Sequence, residues 1–309
     1  MTTIRVGNAP CSWGSLEFEG LGGQPLTCER MLDELVETGY TGTELGDWGF
    51  MPTESAALRN VLEARGVTMV GAFVPVRFAD ASAHAAGADA AVRVARLLAG
   101  AASPEHAPMI ILADENGTVA ERTANAGRVK ASMGLNDAAW TVFAQGVETV
   151  SRAVREATNL PVGFHHHCAG YVETPDEIAA LLKRTSPELL GLVFDTGHYA
   201  FGAGDRDGSL TRAGLERFAD RITHMHYKDC EPAVAAQSAS EGWNYFKSVG
   251  AGVFCELGRG CVDFTWTTRW LRERAYSGFI TVEQDVLPGM GAPRESARRN
   301  REYLKTLGL

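Results

Sequence analysis

Short apolar runs alternate with longer amphipathic segments from one end of the chain to the other. Eight runs rich in Val, Ile, Leu or Phe read as strands, over residues 4–6, 42–45, 68–73, 109–112, 162–165, 190–194, 222–226 and 279–283. They do not alternate apolar with polar positions, which is the pattern of parallel strands buried on both faces. Helical segments fall between them. Residues 27–38 carry Met31, Leu32, Leu35 and Val36 on one face and stop at Gly39. Thr174-Pro175-Asp176-Glu177 is a capping box with proline in the first turn, followed by Ile178, Leu181 and Leu182. Residues 136–157 form the longest helical candidate, and Val61-Leu62 ahead of Gly66 and residues 266–274 supply two more.

Eight strand-then-helix units in a chain of 309 residues predict a closed (β/α)8 barrel, with residues 1–309 forming one domain. An open doubly wound sheet is the alternative architecture. The excess length sits in residues 114–135 and 231–260, both of which follow strands. In a barrel both stretches lie over the C-terminal face, where active sites form. No Pro/Ser-rich linker or break in composition divides the chain.

Composition narrows the function. Apolar residues make up 45% and charged residues 22%, ordinary for a globular protein. Lys and Arg number 29 against 38 Asp and Glu, a net charge of −9 with no basic run, which argues against nucleic acid or an anionic membrane as partner. No stretch of eighteen apolar residues spans a bilayer. The opening residues lack a charged region followed by an apolar one, and the six cysteines include no Cys-x-x-Cys pair. Free thiols and a cytoplasmic location are the expectation.

Candidate chemistry is concentrated. Six of the eight histidines lie between residues 165 and 226, at the ends of three predicted strands. His165-His166-His167 ends the fifth, Asp195-Thr196-Gly197-His198 the sixth, and His224-Met225-His226-Tyr227-Lys228-Asp229 the seventh. The eighth ends in Glu283-Gln284-Asp285. In a parallel barrel these groups surround one point. Imidazoles and carboxylates from consecutive strands form a ligand set for a divalent transition metal, and mixed N/O donors suit manganese, cobalt, zinc or iron better than magnesium or calcium. Each group alone has a plainer reading: a core histidine, a helix cap at Asp195, a salt-bridge partner at Glu283. Their recurrence at the same end of consecutive strands favours the metal site.

On these motifs the whole chain resembles the xylose-isomerase-like TIM-barrel superfamily of sugar isomerases, epimerases and dehydratases. That resemblance implies a divalent metal, manganese or cobalt first and zinc or magnesium as alternatives. It also implies metal ligands at Asp195, His226 and Glu283. The usual glutamate of the fifth strand is replaced by His165, with His167 as its competitor. Within the superfamily the likeness is strongest to the dehydratases of 2-keto-myo-inositol, through Pro10-Cys11-Ser12-Trp13-Gly14, Gly42-Thr43-Glu44-Leu45-Gly46, the triple histidine, Gly252-Val253-Phe254 and Glu283-Gln284-Asp285. Glu256-Leu257-Gly258-Arg259-Gly260 departs from a Pro-Gly-Asp-Gly-like turn of that group.

The expected activity is therefore metal-dependent loss of water from a cyclic polyhydroxy ketone, with a keto-sugar isomerase or 3-epimerase as the alternative. His198 and Glu283 are the candidate bases, Lys228 and His167 the candidate acids. Trp13 and Trp48 are candidates for an apolar wall against a sugar ring, or for core packing. Glu44 is a candidate for substrate hydroxyls, or for a partner of Arg77. Asp114, Arg122 and Arg128 belong to a lid or to solvated charge. A polyol or keto-sugar is the expected partner, and assembly into a homo-oligomer is left open. Epimerisation in related enzymes uses two facing metal-bound glutamates, so His165 in place of one favours elimination.

Overall fold

The computed structural model describes residues 3–14, 26–287 and 289–309. Eight parallel strands close into a barrel: β1 (Ile4–Asn8), β2 (Gly42–Glu44), β3 (Thr68–Val76), β4 (Met109–Asp114), β5 (Val162–His165), β6 (Gly191–Asp195), β7 (Ile222–Tyr227) and β8 (Gly278–Val282), with β8 pairing back onto β1. Closure removes the open-sheet alternative. All eight runs read from the sequence are strands, most ending within one or two residues of the expected bound and β1, β3 and β4 running on by two or three. Their continuous apolar character follows from burial: the inner face fills the barrel and the outer face meets helices.

Local signals set the helices. Thr27 caps Cys28–Thr38 by accepting the Arg30 N–H, and Gly39 ends it in a left-handed conformation at φ 94°. The Thr174–Glu177 capping box is complete ahead of Pro175–Arg184. Asn136 caps Asp137–Thr158. The helix His84–Ala101 was not among the sequence expectations. Its buried face is built from Gly87, Ala91, Val94, Ala95, Leu97 and Leu98, too many small residues for a clear apolar stripe. Small residues let it pack closely: a Cβ on Gly146 of the neighbouring helix would lie 2.3 Å from the His84 ring.

The main core lies between strands and helices, around Leu32, Leu58, Leu98, Val147, Ile178 and Leu215. Inside the barrel Met109, Ile111, Val193 and Phe73 form a separate apolar plug. Above it the lining turns polar. No described helix is long and apolar enough to cross a membrane.

Over the C-terminal face, residues 114–135 are clasped from below. Arg122 is fully buried, pairs Glu177 through two 2.8 Å contacts, and donates to the Gly170 carbonyl. Asp114 accepts the Tyr171 N–H, and Glu173 accepts those of Ala169 and Gly127. Burial pushes both carboxyls up to about 7, against the pull of those N–H groups. In the unfolded chain Asp and Glu titrate near 4. A raised folded value means the stabilising protonated form is fully present below about pH 4 and lost as pH rises through about 7. These two carboxyls should therefore lower stability as pH rises from 5 to 8, while buried neutral histidines, His106, His166 and His198 among them, act in the opposite sense. Urea unfolding of metal-free protein isolates the carboxyl contribution by comparison: the wild type should lose stability relative to Asp114→Asn between pH 5 and pH 8, and an unchanged difference contradicts the assignment.

Candidate active site

Strand geometry aims the side chains. Successive residues of a strand point to opposite faces, so the triple histidine divides. His165 turns inward, 4.8 Å between ring centroids from His226. His166 turns outward against Phe194 and Tyr199, where its Nε2 accepts the Asp195 N–H. His167 returns inward beyond the strand end, and its Nδ1–H donates to the Cys168 carbonyl at 2.7 Å. A carbonyl only accepts, so the basic nitrogen of neutral His167 is Nε2. Asp195 and His226 sit in register across β6 and β7.

One donor atom each from His165, Asp195, His226 and Glu283 lies within 4.8 Å of the others. His165 Nε2 is 3.6 Å from Asp195 Oδ2, and His226 Nδ1 is 3.9 Å from that oxygen and 3.2 Å from Glu283 Oε1. Both His165 nitrogens, His226 Nδ1 and Asp195 Oδ2 are buried without a hydrogen-bond partner. Buried polar atoms normally have partners, so an orphaned cluster of lone pairs marks a place built for an ion. The donors fit a divalent transition metal.

Charge is distributed unevenly here. Burial works against a charged His226, but the Glu283 and Glu44 carboxylates outweigh it and push the imidazole well above its ordinary range. Burial likewise opposes the Lys228 ammonium, and Asp285, Glu283 and Asp195 overturn it, so Lys228 stays protonated. Its Nζ lies 3.3 Å from Glu283 Oε2 and 3.4 Å from Asp285 Oδ2, and 4.9 Å above the Phe254 ring. Lys228 crosses the first turn of helix Thr196–Ala203 so closely that a Cβ on Gly197 would meet its Cγ at 2.6 Å, which explains glycine there.

These groups open into a cavity of about 240 Å³ lined by His165, His167, Lys228, Glu283, Asp285 and Glu44, with Phe73, Asn116 and Phe246 among its walls. Asn116 and Phe246 come from the two long stretches over the barrel, which Arg128 ties together by donating to the Trp243 carbonyl. A wider, open groove of about 510 Å³ lies on the outer helices around Trp48 and Arg93; it holds no histidine.

Several expected residues sit elsewhere. His198 is fully buried and does not line the cavity; its Nδ1 accepts the Cys168 N–H, and its Nε2 is 3.4 Å from Lys228 Nζ, behind the lysine. Burial, then His167 and Lys228, hold it well below its ordinary range, in the neutral form. Trp13 is buried in the core, its indole N–H given to Glu34, and it takes no part in the wall. Trp48 stacks under Arg93 on the outer groove. Glu44 lines the cavity, yet its partner is His226, while Arg77 pairs with Glu115. Arg122 is a buried clasp rather than solvated charge. Asp285 was not singled out from the sequence as a site residue. Its spacing two residues beyond Glu283 was the available signal.

The chain belongs to a family on this basis: a family model described as xylose isomerase-like TIM barrel matches residues 32–307. Among curated proteins it is 29% identical over 304 residues to an inosose dehydratase of Geobacillus kaustophilus, covering 98% of this chain and 94% of that one. It is 28% identical over 303 residues to an inosose dehydratase of Bacillus licheniformis, covering 98% and 95%. The fold is shared with the probable 3-DHS dehydratase AsbF of Bacillus anthracis, at a TM-score of 0.68 and 12% identity over 98% of this chain and 99% of that one. It is also shared with the 3-keto-D-glucoside 4-epimerase YcjR of E. coli, at 0.67 and 14% over 98% and 100%.

Proposed function

We propose that this enzyme is a metal-dependent dehydratase that removes water from an uncharged cyclic polyhydroxy ketone, 2-keto-myo-inositol being the first substrate to test. The observation that carries the reading is the donor set of His165, Asp195, His226 and Glu283, the first three with orphaned buried atoms, opening into a cavity shared with His167 and Lys228. The full-length likeness to inosose dehydratases gives the same direction. Mixed nitrogen and oxygen donors favour Mn²⁺ or Co²⁺ over Mg²⁺. A divalent ion held there supplies Lewis-acid polarisation of the ketone.

The remaining work falls to the chain's own groups. His167 Nε2 is the base that takes the proton α to the carbonyl. Lys228, kept as an ammonium by its carboxylates, gives a proton to the departing β-hydroxyl, which leaves as water. One proton is taken and one given, so the site ends with His167 charged and Lys228 neutral until solvent restores both. His198 packs behind Lys228, its ring filling the space beside the ammonium. Phe73 and Phe246 offer apolar faces to the ring. Among the described residues no arginine lines the cavity, and its lysine is already flanked by Glu283 and Asp285, so beyond the ion itself a carboxylate or phosphate finds no side-chain cation without a carboxylate partner.

Metal-loaded protein incubated with 2-keto-myo-inositol should develop the ultraviolet absorbance of a conjugated enol-dione. 3-Dehydroshikimate, an anion, should react at least 10²-fold more slowly, since an unpaired buried charge costs several kcal/mol. Interconversion of keto-hexose epimers without reaction of the keto-inositol would replace this reading with the isomerase one.

A further inference from the structure

Glu44 stands at the end of β2, 182 residues from His226 in sequence, yet its Oε1 lies 3.0 Å from His226 Nε2 in a fully buried pair. The register of β2 against β3 shifts between Thr43 and Glu44, a local irregularity of the kind that re-aims a side chain. His224 approaches the same oxygen at 3.6 Å and is itself held by Thr281 at 3.1 Å. The two sides of the His226 ring thus differ. Nε2 is hydrogen-bonded to a carboxylate, whereas Nδ1 is buried without a hydrogen bond and lies 3.2 Å from Glu283 Oε1 and 3.9 Å from Asp195 Oδ2.

We infer that Glu44 is a positioning residue: it accepts the Nε2–H of His226 and so fixes Nδ1 as the nitrogen presented to the divalent ion. A carboxylate cannot donate, so the proton of this contact resides on Nε2; without an ion Glu283 favours a second proton on Nδ1, and an ion that displaces that proton meets the Nδ1 lone pair. A histidine anchored in this way is oriented and made more basic by its carboxylate, an effect worth 10–100-fold in metal affinity. Glu44, His224 and His226 also form a compact group with ligand-type atoms within 4.8 Å. Glu44 and His224 are absent from the buried atoms without partners, in contrast to the orphaned set facing the cavity. The satisfied group is the support and the orphaned group is the seat of the ion.

This inference rests on the metal reading above, and the experiment separates the two. Metal-free full-length protein is titrated with Mn²⁺ and with Co²⁺, with stoichiometry from elemental analysis and the Co²⁺ visible spectrum as a report of the ligand set. The wild type should bind one ion. Glu44→Ala should bind one ion 10–100-fold more weakly, with a broadened cobalt spectrum. Glu44→Gln keeps an oxygen that accepts from Nε2–H, and should recover most of the lost affinity and the wild-type spectrum. A purely structural role would move thermal stability in both variants without restoring affinity in glutamine. Wild-type affinity in a folded Glu44→Ala overturns the positioning role alone. Two ions in the wild type and one in Glu44→Ala would make Glu44 a ligand, again overturning it. A wild type that takes up no ion overturns the metal reading and this inference together.

Discussion

Asp195→Asn should retain the fold, lose metal and lose turnover. The two carboxylate oxygens have separate duties: Oδ1 accepts the His198 N–H at 2.7 Å and caps the helix Thr196–Ala203, while Oδ2 is the buried, unpartnered oxygen facing His165 and His226. Asparagine can keep the cap through its carbonyl, so the melting temperature compared between metal-free proteins should change little; alanine would forfeit about 1 kcal/mol. Removing the charge should lower metal content measured on protein purified without chelator. The loss of Lewis-acid stabilisation, several kcal/mol, corresponds to a fall in kcat/KM on the order of 10³. Wild-type metal content in Asp195→Asn would remove this residue from the ligand set.

Lys228→Met should keep the ion and stop the reaction. The ammonium is the one cation among the described cavity-lining side chains apart from histidine, and Glu283 and Asp285 both face it. Methionine matches the apolar stem that passes Gly197, so packing there is preserved. Deleting a positioned proton donor should lower kcat by 10²–10⁴ with a smaller change in KM. Metal content should hold, since Lys228 is not a donor to the ion. A kcat within threefold of wild type would move the acid role to another group. His198→Asn is the companion variant: acting through Lys228 rather than on substrate, it should cost less than Lys228→Met.

The barrel was legible because most strands are short apolar runs buried on both faces. The site was legible because parallel strands bring their C-terminal ends together, so His165, Asp195, His226 and Glu283 could be placed on one face without knowing any angle. What the strand ends alone do not place depends on angles. His198 follows Asp195 by three residues, and the helix that Asp195 caps carries its ring behind Lys228. Trp13 lies in a short helical turn, Pro10–Trp13, that leads its indole to Glu34. The Glu44–His226 contact spans the barrel interior and depends on a register shift that no local pattern announces. The helix His84–Ala101 hid because alanine and glycine carry little periodic signal.

Asp195 bears on what this position can become. One short carboxylate reaches the first turn of a helix with one oxygen and the ion's seat with the other. A glutamate, one methylene longer, loses the reach to the helix that aspartate has as a preferred cap. On the proposed metal reading, the sixth strand is therefore restricted to aspartate by its helix as much as by the ion, whereas the eighth, followed by irregular chain, accommodates the longer Glu283. Uptake of the ion and the setting of the first turn beneath Lys228 are two readings of one side chain's orientation. An empty site should loosen that turn, and hydrogen exchange at the His198 amide becomes a direct gauge of occupancy.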